Sequence, residues 1–372
     1  MSSRFLWGAA TSSYQVEGGI ENCDWAEAAR RGKVPPAGLS VDHYQRYEAD
    51  FSLARDLDHN AHRFSLEWAR IEPTEGVFDS QAIEHYEKVL DALRARGLEP
   101  CVTLWHFTLP QWFTERGGFT QPDAANIFAR YCEYVVSRLG DRAKFWMTIN
   151  EPLVYASNGY RVGTWPPFQK NIWQFLRMTP LLAAAHRCAY EQMKAVKPNI
   201  QIGIANNNIH FTPRWYPISV LVRWLWNHRF LNAIKNHQDF IGLNYYFHHH
   251  FGSPEKLPKS DMGWDIYPQG LYHVLLELRR YGKPVYVTEN GIADAADTRR
   301  AQFIRDHVAW MLKAKEDGVD VRGYFYWSLL DNYEWHHGFT PRFGLIAVNY
   351  DTLDRTIRPS ARAYQHLIRS HR

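Results

Sequence analysis

Short, almost continuous apolar runs recur along the chain, separated by loops and amphipathic stretches. Runs of this length that are rich in apolar and β-branched residues are typical of parallel strands buried on both faces. Eight of them predict eight strands: FLWGAAT (5–11), AHRFSLE (61–67), PCVTLWH (100–106), KFWMTIN (144–150), IQIGIAN (200–206), FIGLNYY (240–246), PVYVTEN (284–290) and VRGYFYW (321–327).

The stretches between these runs have the apolar spacing of helices. In residues 79–97 apolar side chains recur every three or four positions, Asp79 or Ser80 can cap the start, and Gly97 can end the helix. Residues 298–318 follow the same pattern. Eight alternations of strand and helix predict an α/β fold, a single (β/α)8 TIM barrel over residues 1–372. A doubly wound open sheet is the alternative, but no GxGxxG or P-loop motif follows any strand.

Polar and aromatic side chains stand where the predicted strands end. In a (β/α)8 barrel the C-terminal ends of the strands share one rim, and that rim carries the active site. The side chains expected there are Gln15, Glu17, Arg63, Glu67, Trp105, His106, Asn150, Glu151, Asn244, Tyr245, Tyr246, Glu289 and Trp327. Their concentration at strand ends indicates a binding or catalytic site.

Two strand ends carry a carboxylate in a similar context. VYVTENG (285–291) places Glu289 at the end of a buried strand, and FWMTINEP (145–152) places Glu151 in the same way. Ionised carboxylates are rarely buried without a partner. Two carboxyl groups that face each other between aromatic walls are what glycoside hydrolysis requires, and their separation decides whether the anomeric configuration is retained or inverted.

Composition and charge exclude several other classes. Hydrophobic residues make up 45% of the chain and charged residues 22%, which describes a globular protein with a sizeable core. The net charge of +4 is spread over mixed charges without a basic arm, so we expect no nucleic-acid partner. The four cysteines form no CxxC pair, which disfavours a disulfide framework or zinc site and favours a reducing, cytoplasmic setting.

Metal and membrane signals are weak. Neighbouring residues of a strand face opposite ways, so HHH (248–250) is not expected to hold a metal ion, and we expect no cofactor. The N-terminus lacks a long apolar signal core, and no run of about 18 apolar residues predicts a membrane span. Residues 217–234 come closest, but polar residues interrupt them, so we predict an aromatic-rich packed helix. A peripheral membrane role or a place in a homo-oligomer stays open for this helix.

A set of longer motifs carries a family resemblance. QVEGG, LWHFTLPQW, TINEP, GLNYY, VTENG and WSLLDNYEWHHGFTPRFGL occur in this order at the expected strands. Together they resemble glycoside hydrolase family 1, the β-glucosidase family, and the resemblance runs nearly from end to end. It implies a retaining β-glycosidase that removes a terminal non-reducing β-D-glucosyl residue, or a β-D-galactosyl or β-D-fucosyl residue, from a β-glucoside or oligosaccharide.

The resemblance also implies roles for individual residues. Glu289 corresponds to the nucleophile and Glu151 to the general acid and base. Arg63 beside Glu289 would favour its charge, and Tyr246 would hydrogen-bond it. The nearby anion should raise the pKa of Glu151, which must begin protonated.

The sugar-binding residues are implied in the same way. Gln15, His106 and Asn150 match residues that bind sugar hydroxyls, with Asn150 at the 2-hydroxyl. Trp327 matches the aromatic floor under the ring, and Glu334 and Trp335 match the pair that contacts the far hydroxyls. We add Phe343, which follows them in the same long motif, to the expected substrate-binding set.

The chain departs from the family pattern in two ways. Phe107 follows His106 where the family usually has Trp, so one indole donor to a sugar hydroxyl is lost, and a strict preference for glucose is not implied. The chain is also short for the family, and the segments 207–239 and 247–283 look trimmed. We therefore expect a wide entrance and weak discrimination of the leaving group.

Three alternatives remain. A 6-phospho-β-glycosidase would need cations where this chain has Glu334, Pro341 and Phe343, and a carboxylate repels phosphate. A non-catalytic sugar-binding barrel would lose one or both carboxylates, whereas both are present. A transglycosylase shares the covalent intermediate, and only product analysis separates it from a hydrolase.

Overall fold

The computed structural model describes residues 4–213, 215–252 and 256–371. Eight parallel strands close into a barrel, and each strand pairs with its neighbours in chain order until the eighth pairs with the first. The barrel strands are Leu6–Ala10, Ala61–Ser65, Glu99–Trp105, Phe145–Asn150, Gln201–Asn207, Ile241–Asn244, Val285–Asn290 and Val321–Trp327. All eight predicted strands and the predicted barrel are thereby confirmed.

Helices follow the strands and cover the outside of the barrel. In the described ranges the α-helices are Ser13–Val16, Asp24–Arg30, His43–Asp56, Trp68–Ile71, Ser80–Ala95, Gln111–Glu115, Ala124–Leu139, Pro152–Ala156, Ile172–Val196, Pro217–Arg223, Arg229–Ile234, Pro268–Leu278, Arg300–Glu316 and Pro359–Ser370. Shorter 3₁₀ or π turns lie at Gly118–Thr120, Ser157–Val162, Trp224–His228, Arg279–Tyr281 and Trp335–His337. No helix in these ranges combines the length and apolar character needed to cross a membrane.

The two helices predicted in detail begin and end close to where the sequence placed them. Ser80–Ala95 starts after Asp79, whose side chain accepts hydrogen bonds from the backbone N–H groups of Gln81 and Ala82 at 2.7 and 3.2 Å. These bonds satisfy two of the N–H groups that a helix start leaves without partners. Gly97 follows its end with a left-handed φ of 69°.

The core has two layers. A smaller cluster fills the barrel interior and includes Ala10, Met147, Tyr286 and Phe325. A much larger cluster packs between the strands and the surrounding helices. Because both faces of each strand are buried, the strands read as apolar runs rather than as alternating patterns.

Two small sheets lie outside the barrel. His210–Thr212 pairs in parallel with His248–His250, and Ile346–Val348 pairs antiparallel with Arg355–Ile357. His248 is buried whereas His249 is exposed, so the HHH run alternates as a strand does.

The prediction of a helix over residues 217–234 is confirmed, but only its second half is packed. The segment is helical throughout, as Pro217–Arg223, a π-helical stretch at Trp224–His228 and Arg229–Ile234. Phe230 and Leu231 of the second helix are buried, whereas the first exposes 57% of Leu221. The first helix lies on the surface with only part of its circumference covered, and the apolar pattern could not reveal which part.

Candidate active site

The C-terminal ends of the barrel strands surround a cleft of about 270 Å³. Its walls combine carboxyl, amide, imidazole and aromatic groups, which is the usual make-up of a site for a polar ligand. The lining residues are Gln15, His106, Phe107, Asn150, Glu151, Val154, Asn158, Trp165, Asn207, Tyr246, Phe247, Met262, Trp264, Glu289, Trp327, Glu334, Trp335, His336, His337 and Phe343. Every predicted catalytic or sugar-binding residue except Arg63 lies in this wall.

Glu289 is held by one cation and one phenol. Arg63 is buried outside the cleft wall, and its guanidinium donates a hydrogen bond to Oε1 of Glu289. The hydroxyl of Tyr246 donates to Oε2 at 2.8 Å. Burial and the carboxylate raise the pKa of the Tyr246 phenol well above its ordinary value, so this hydroxyl keeps its proton. Glu289 therefore accepts one charge-assisted and one neutral hydrogen bond.

The turn after Glu289 needs a glycine. A Cβ atom on Gly291 would lie 1.9 Å from the backbone oxygen of Trp327, far inside van der Waals contact. Only a residue without a side chain lets the end of the seventh strand approach the end of the eighth this closely. The glycine of the VTENG motif thus brings Glu289 and Trp327 to the same cleft.

Glu151 has a different set of partners. Its Oε1 accepts hydrogen bonds from the side-chain amides of Asn207 and Asn244, at 3.1 and 2.9 Å. Burial and the charge of Glu289 raise the pKa of Glu151 to about 8. Among the described residues no donor contacts Oε2, so a proton on this oxygen is free to meet a ligand. The residue has a left-handed φ of 43°, which turns the chain sharply from the fourth strand into the next helix.

The orientation of Asn150 fixes the proton of His106. A guanidinium can only donate, so the Asn150 atom 2.7 Å from Arg63 is the amide oxygen. The amide nitrogen of Asn150 therefore faces Nε2 of His106 at 3.2 Å, and this ring nitrogen must accept. Burial lowers the pKa of His106 well below its ordinary value, so the ring is neutral and carries its proton on Nδ1. In the described residues Nδ1 has no hydrogen-bond partner.

Aromatic and polar groups close the deep end of the cleft. The rings of Trp327 and Trp335 lie 5.9 and 6.0 Å from that of His106 and are nearly parallel to it. Gln15 lies beside Glu334, with Nε2 and Oε2 3.4 Å apart. Desolvation in the cleft and the two other carboxyl groups raise the pKa of Glu334 to about 8. Phe343 completes this wall and packs on Trp264 at 5.9 Å.

Two asparagines of the site were missed as site residues in the sequence. Asn244 was noted only as a polar strand end, and Asn207 lies one residue beyond the predicted end of strand five. Both contact Glu151, and the indole N–H of Trp226 donates to the Asn207 oxygen at 3.3 Å. The polar run Asn206–Asn208 after a buried strand was the signal that could have identified Asn207.

Two carboxylates expected on the rim lie outside the cleft. Glu17 accepts hydrogen bonds from Arg70 and Tyr86, both at 2.9 Å. Glu67 is fully buried and accepts hydrogen bonds from Ser13 and Thr108 at 3.0 Å. Glu17 lies seven residues and Glu67 two residues past the strand end, outside the cleft wall, so both are structural groups.

Phe107 packs against Trp165 in the cleft wall. The ring of Trp165 lies 4.9 Å from Phe107 and 5.4 Å from Trp335. Trp165 comes from the loop after the fourth strand, so its place in this wall was not predicted.

Among the residues that the structure describes, no group of three or more His, Cys, Asp or Glu side chains is arranged to hold a metal ion.

The sequence and the fold both resemble known glycosidases. A family model described as Glycosyl hydrolase family 1 matches residues 1–219 and 250–372. Beta-glucosidase A of Acetivibrio thermocellus is 31% identical, over 99% of this chain and 98% of the relative. A beta-galactosidase of Pyrococcus woesei is 30% identical, over 95% of this chain and 94% of the relative. The solved structure of a beta-glycosidase from Pyrococcus horikoshii superposes with a TM-score of 0.92 at 38% identity, covering 100% of this chain and 95% of that one.

Proposed function

Because the chain belongs to glycosyl hydrolase family 1 and is a β-glycosidase, we propose that it retains the anomeric configuration, with Glu289 as nucleophile and Glu151 as general acid and base. One observation carries the proposal. Glu289 is held by a guanidinium and a phenol, whereas Glu151 has only neutral amide donors. One carboxyl group bound by a cation and one bound only by neutral donors can divide the roles of anion and acid between them.

In the first step Glu289 attacks the anomeric carbon of the terminal sugar. Arg63 and Tyr246 donate hydrogen bonds to its two oxygens and fix their direction. Glu151 donates the proton on Oε2 to the glycosidic oxygen, and the leaving group departs as an alcohol or sugar. A covalent bond then joins the sugar to Glu289.

In the second step water releases the sugar. The ester bond removes the charge of Glu289, which is one cause of the raised pKa of Glu151. Glu151 has by then given up its proton, so it can take one from water while the water attacks the anomeric carbon. Two attacks on opposite faces of the carbon restore the original configuration.

We propose a terminal β-D-glucosyl residue as the substrate, with β-D-galactosyl and β-D-fucosyl residues also accepted. His106 offers a free Nδ1–H donor, and the second amide hydrogen of Asn150 is available for the 2-hydroxyl. Glu334 and Gln15 stand at the deep end for the far hydroxyls. Since Phe107 supplies no donor, discrimination at one hydroxyl is weaker, and a relative named beta-galactosidase supports a broad sugar preference.

A phosphorylated sugar fits this cleft poorly. None of its lining residues in the described part of the chain is Lys or Arg, and Glu334 stands at the deep end.

We also propose a cytoplasmic setting, which suits the free thiols of Cys23, Cys101, Cys132 and Cys188.

A panel of 4-nitrophenyl glycosides tests the proposal. We expect hydrolysis of the β-glucoside, β-galactoside and β-fucoside, no hydrolysis of the α-glucoside, and the β-anomer as the first sugar product by NMR. A first-formed α-anomer would overturn retention. Adding an alcohol acceptor measures the transglycosylation branch, and exclusive transfer would replace hydrolysis as the function.

A further inference from the structure

One side of the cleft carries a hydrogen bond that the chemistry above does not use. The indole N–H of Trp165 donates to Nδ1 of His336 at 3.0 Å. Trp165 lies in the loop after the fourth strand and His336 in the loop after the eighth, and both line the cleft. The bond thus joins two loops whose residues are 171 positions apart in the sequence.

This bond fixes the chemical form of His336. An indole nitrogen only donates, so Nδ1 must be unprotonated and the neutral ring carries its proton on Nε2. Burial and the neighbouring His337 lower the pKa of His336 to about 4, which agrees with a neutral ring. Among the described residues no acceptor contacts Nε2. His336 therefore presents an unused N–H donor.

The location of the pair points to the leaving group. The proton donor Glu151 must stand on the leaving-group side of the bond that breaks. The chain that follows it adds Val154 and Asn158 to the same cleft wall. The backbone oxygen of Asn158 accepts a hydrogen bond from the backbone N–H of Trp165 at 3.3 Å. The wall that begins at Glu151 therefore continues to Trp165 and His336.

Resting on the proposed function, we propose that His336 donates a hydrogen bond from Nε2 to a hydroxyl of the leaving group, so that a sugar is preferred there over an apolar group. Trp165 is the positioning residue that holds the ring in this form. The segments after strands five and six, from which we expect weak discrimination of the leaving group, supply other parts of the cleft wall, such as Phe247 and Trp264. Trp165 and His336 supply discrimination from the loops after strands four and eight.

Two substrates with the same terminal glucosyl unit test this inference. The leaving group of cellobiose is a sugar that carries hydroxyls. The leaving group of 4-nitrophenyl β-D-glucoside is an aromatic ring without a free hydroxyl. His336→Phe keeps a ring and removes the donor. We expect kcat/KM to fall about 3- to 10-fold for cellobiose, the cost of one neutral hydrogen bond, and to change less than about twofold for the aryl glucoside. Activity on the aryl glucoside also shows that the variant is folded.

Three further variants sharpen the test. His336→Gln, which keeps an N–H donor, should recover part of the cellobiose activity. His366→Phe, at an exposed position outside the cleft wall, should change neither substrate. Trp165→Phe should lower the cellobiose rate, and adding it to His336→Phe should cost less than the sum of the two separate changes, because both act through one bond.

An equal loss on both substrates in His336→Phe would overturn the proposal, since it would show a contact to the terminal sugar or a packing role. No loss on either would overturn it as well. An unaltered chain that hydrolyses neither substrate with retention would overturn the proposed function first, and the inference with it.

Discussion

The amide nitrogen of Asn244 lies 2.9 Å from Oε1 of Glu151. Asn207 donates to the same oxygen, and in the described chain Oε2 has no donor. Both partners are uncharged, so they orient the carboxyl group without supplying a full positive charge to keep it ionised. Glu289, across the cleft, has a guanidinium instead. In the proposed mechanism these surroundings suit Glu151 to the role of acid and Glu289 to the role of nucleophile.

The pH dependence of the first step should show this acid. Glu151 must be protonated to act, and burial together with Glu289 raises its pKa to about 8. The kcat/KM for an unactivated glucoside should therefore stay high through neutral pH and fall as pH rises past about 8. Glu151→Gln cannot titrate, so its slower hydrolysis of the same unactivated glucoside should show no fall past pH 8. Glu334→Gln is the control for the other group with a raised pKa and should keep it. An unchanged profile in Glu151→Gln would refute the assignment.

The acid role also predicts a dependence on the leaving group. A dinitrophenolate departs with little protonation, whereas the sugar of cellobiose needs a proton on its oxygen. Glu151→Gln should slow glycosylation of cellobiose by a factor of 100 or more, within the roughly 10²–10⁴-fold typical of general acids, and affect the dinitrophenyl glycoside far less. Pre-steady-state kinetics on both substrates measure this step directly. Equal losses would contradict an acid role.

Glu334 should contribute through the far hydroxyls of the sugar. Because its pKa is raised to about 8, Glu334 is mostly protonated at neutral pH. A hydrogen bond of a neutral group is worth about 0.5–1.5 kcal/mol, so Glu334→Ala should lower kcat/KM for a glucoside roughly 2- to 13-fold. The loss should shrink for a fucoside, which lacks the 6-hydroxyl, and shrink more for a xyloside, which lacks the whole arm. Glu334→Gln, which keeps polar atoms, should lose less. If all three glycosides fall equally, Glu334 supports the rim and does not bind sugar.

Buried acids away from the cleft should make the fold prefer mildly acidic conditions. Burial raises the pKa of Asp24 to about 8 although its Oδ1 accepts two backbone hydrogen bonds. A carboxyl whose pKa is higher in the folded than in the unfolded chain stabilises the fold at low pH. Its contribution is lost as pH rises from about 4 to about 8, by at most about 1.4 kcal/mol per pH unit for one group.

Asp24→Asn keeps the accepting oxygen and removes the titration. The melting temperature of this variant should therefore fall less between pH 5 and 8 than that of the unaltered chain. Asp351→Asn, at an exposed position, should not flatten the curve. A variant with the original slope would show that Asp24 is ionised in the folded state at neutral pH.

The barrel could be predicted because its physics is local to each strand. Val285–Asn290 is buried on both faces, so apolar residues occupy nearly every position up to Glu289. Glu151 and Glu289 could be predicted as site residues because each places a carboxyl group at the end of such an apolar run. Glu17 and Glu67 were placed wrongly because they lie past their strands, where strand spacing no longer says which way a side chain faces.

Contacts between distant loops could not be predicted from the same patterns. Trp165 and His336 are 171 positions apart in sequence, and no local spacing relates them. Asn207 meets Glu151 only because the fourth and fifth strands pair in the register that places Asn150 opposite Ala205. The helix Pro217–Arg223 is rich in apolar residues but leaves several of them exposed, among them Leu221. An apolar composition alone therefore does not predict whether a helix face is buried.

The rescue of two cavity variants by azide tests the division of labour between Glu289 and Glu151 most directly. Glu289→Ala opens space on the face where the nucleophile stood, so azide should restore turnover there and give the α-glycosyl azide. Glu151→Ala with a dinitrophenyl glycoside still forms the covalent intermediate, so azide should give the β-glycosyl azide. NMR of the two products reads the outcome: opposite anomers are the predicted result, and a β-azide from Glu289→Ala, or near-normal activity of that variant without azide, would contradict it.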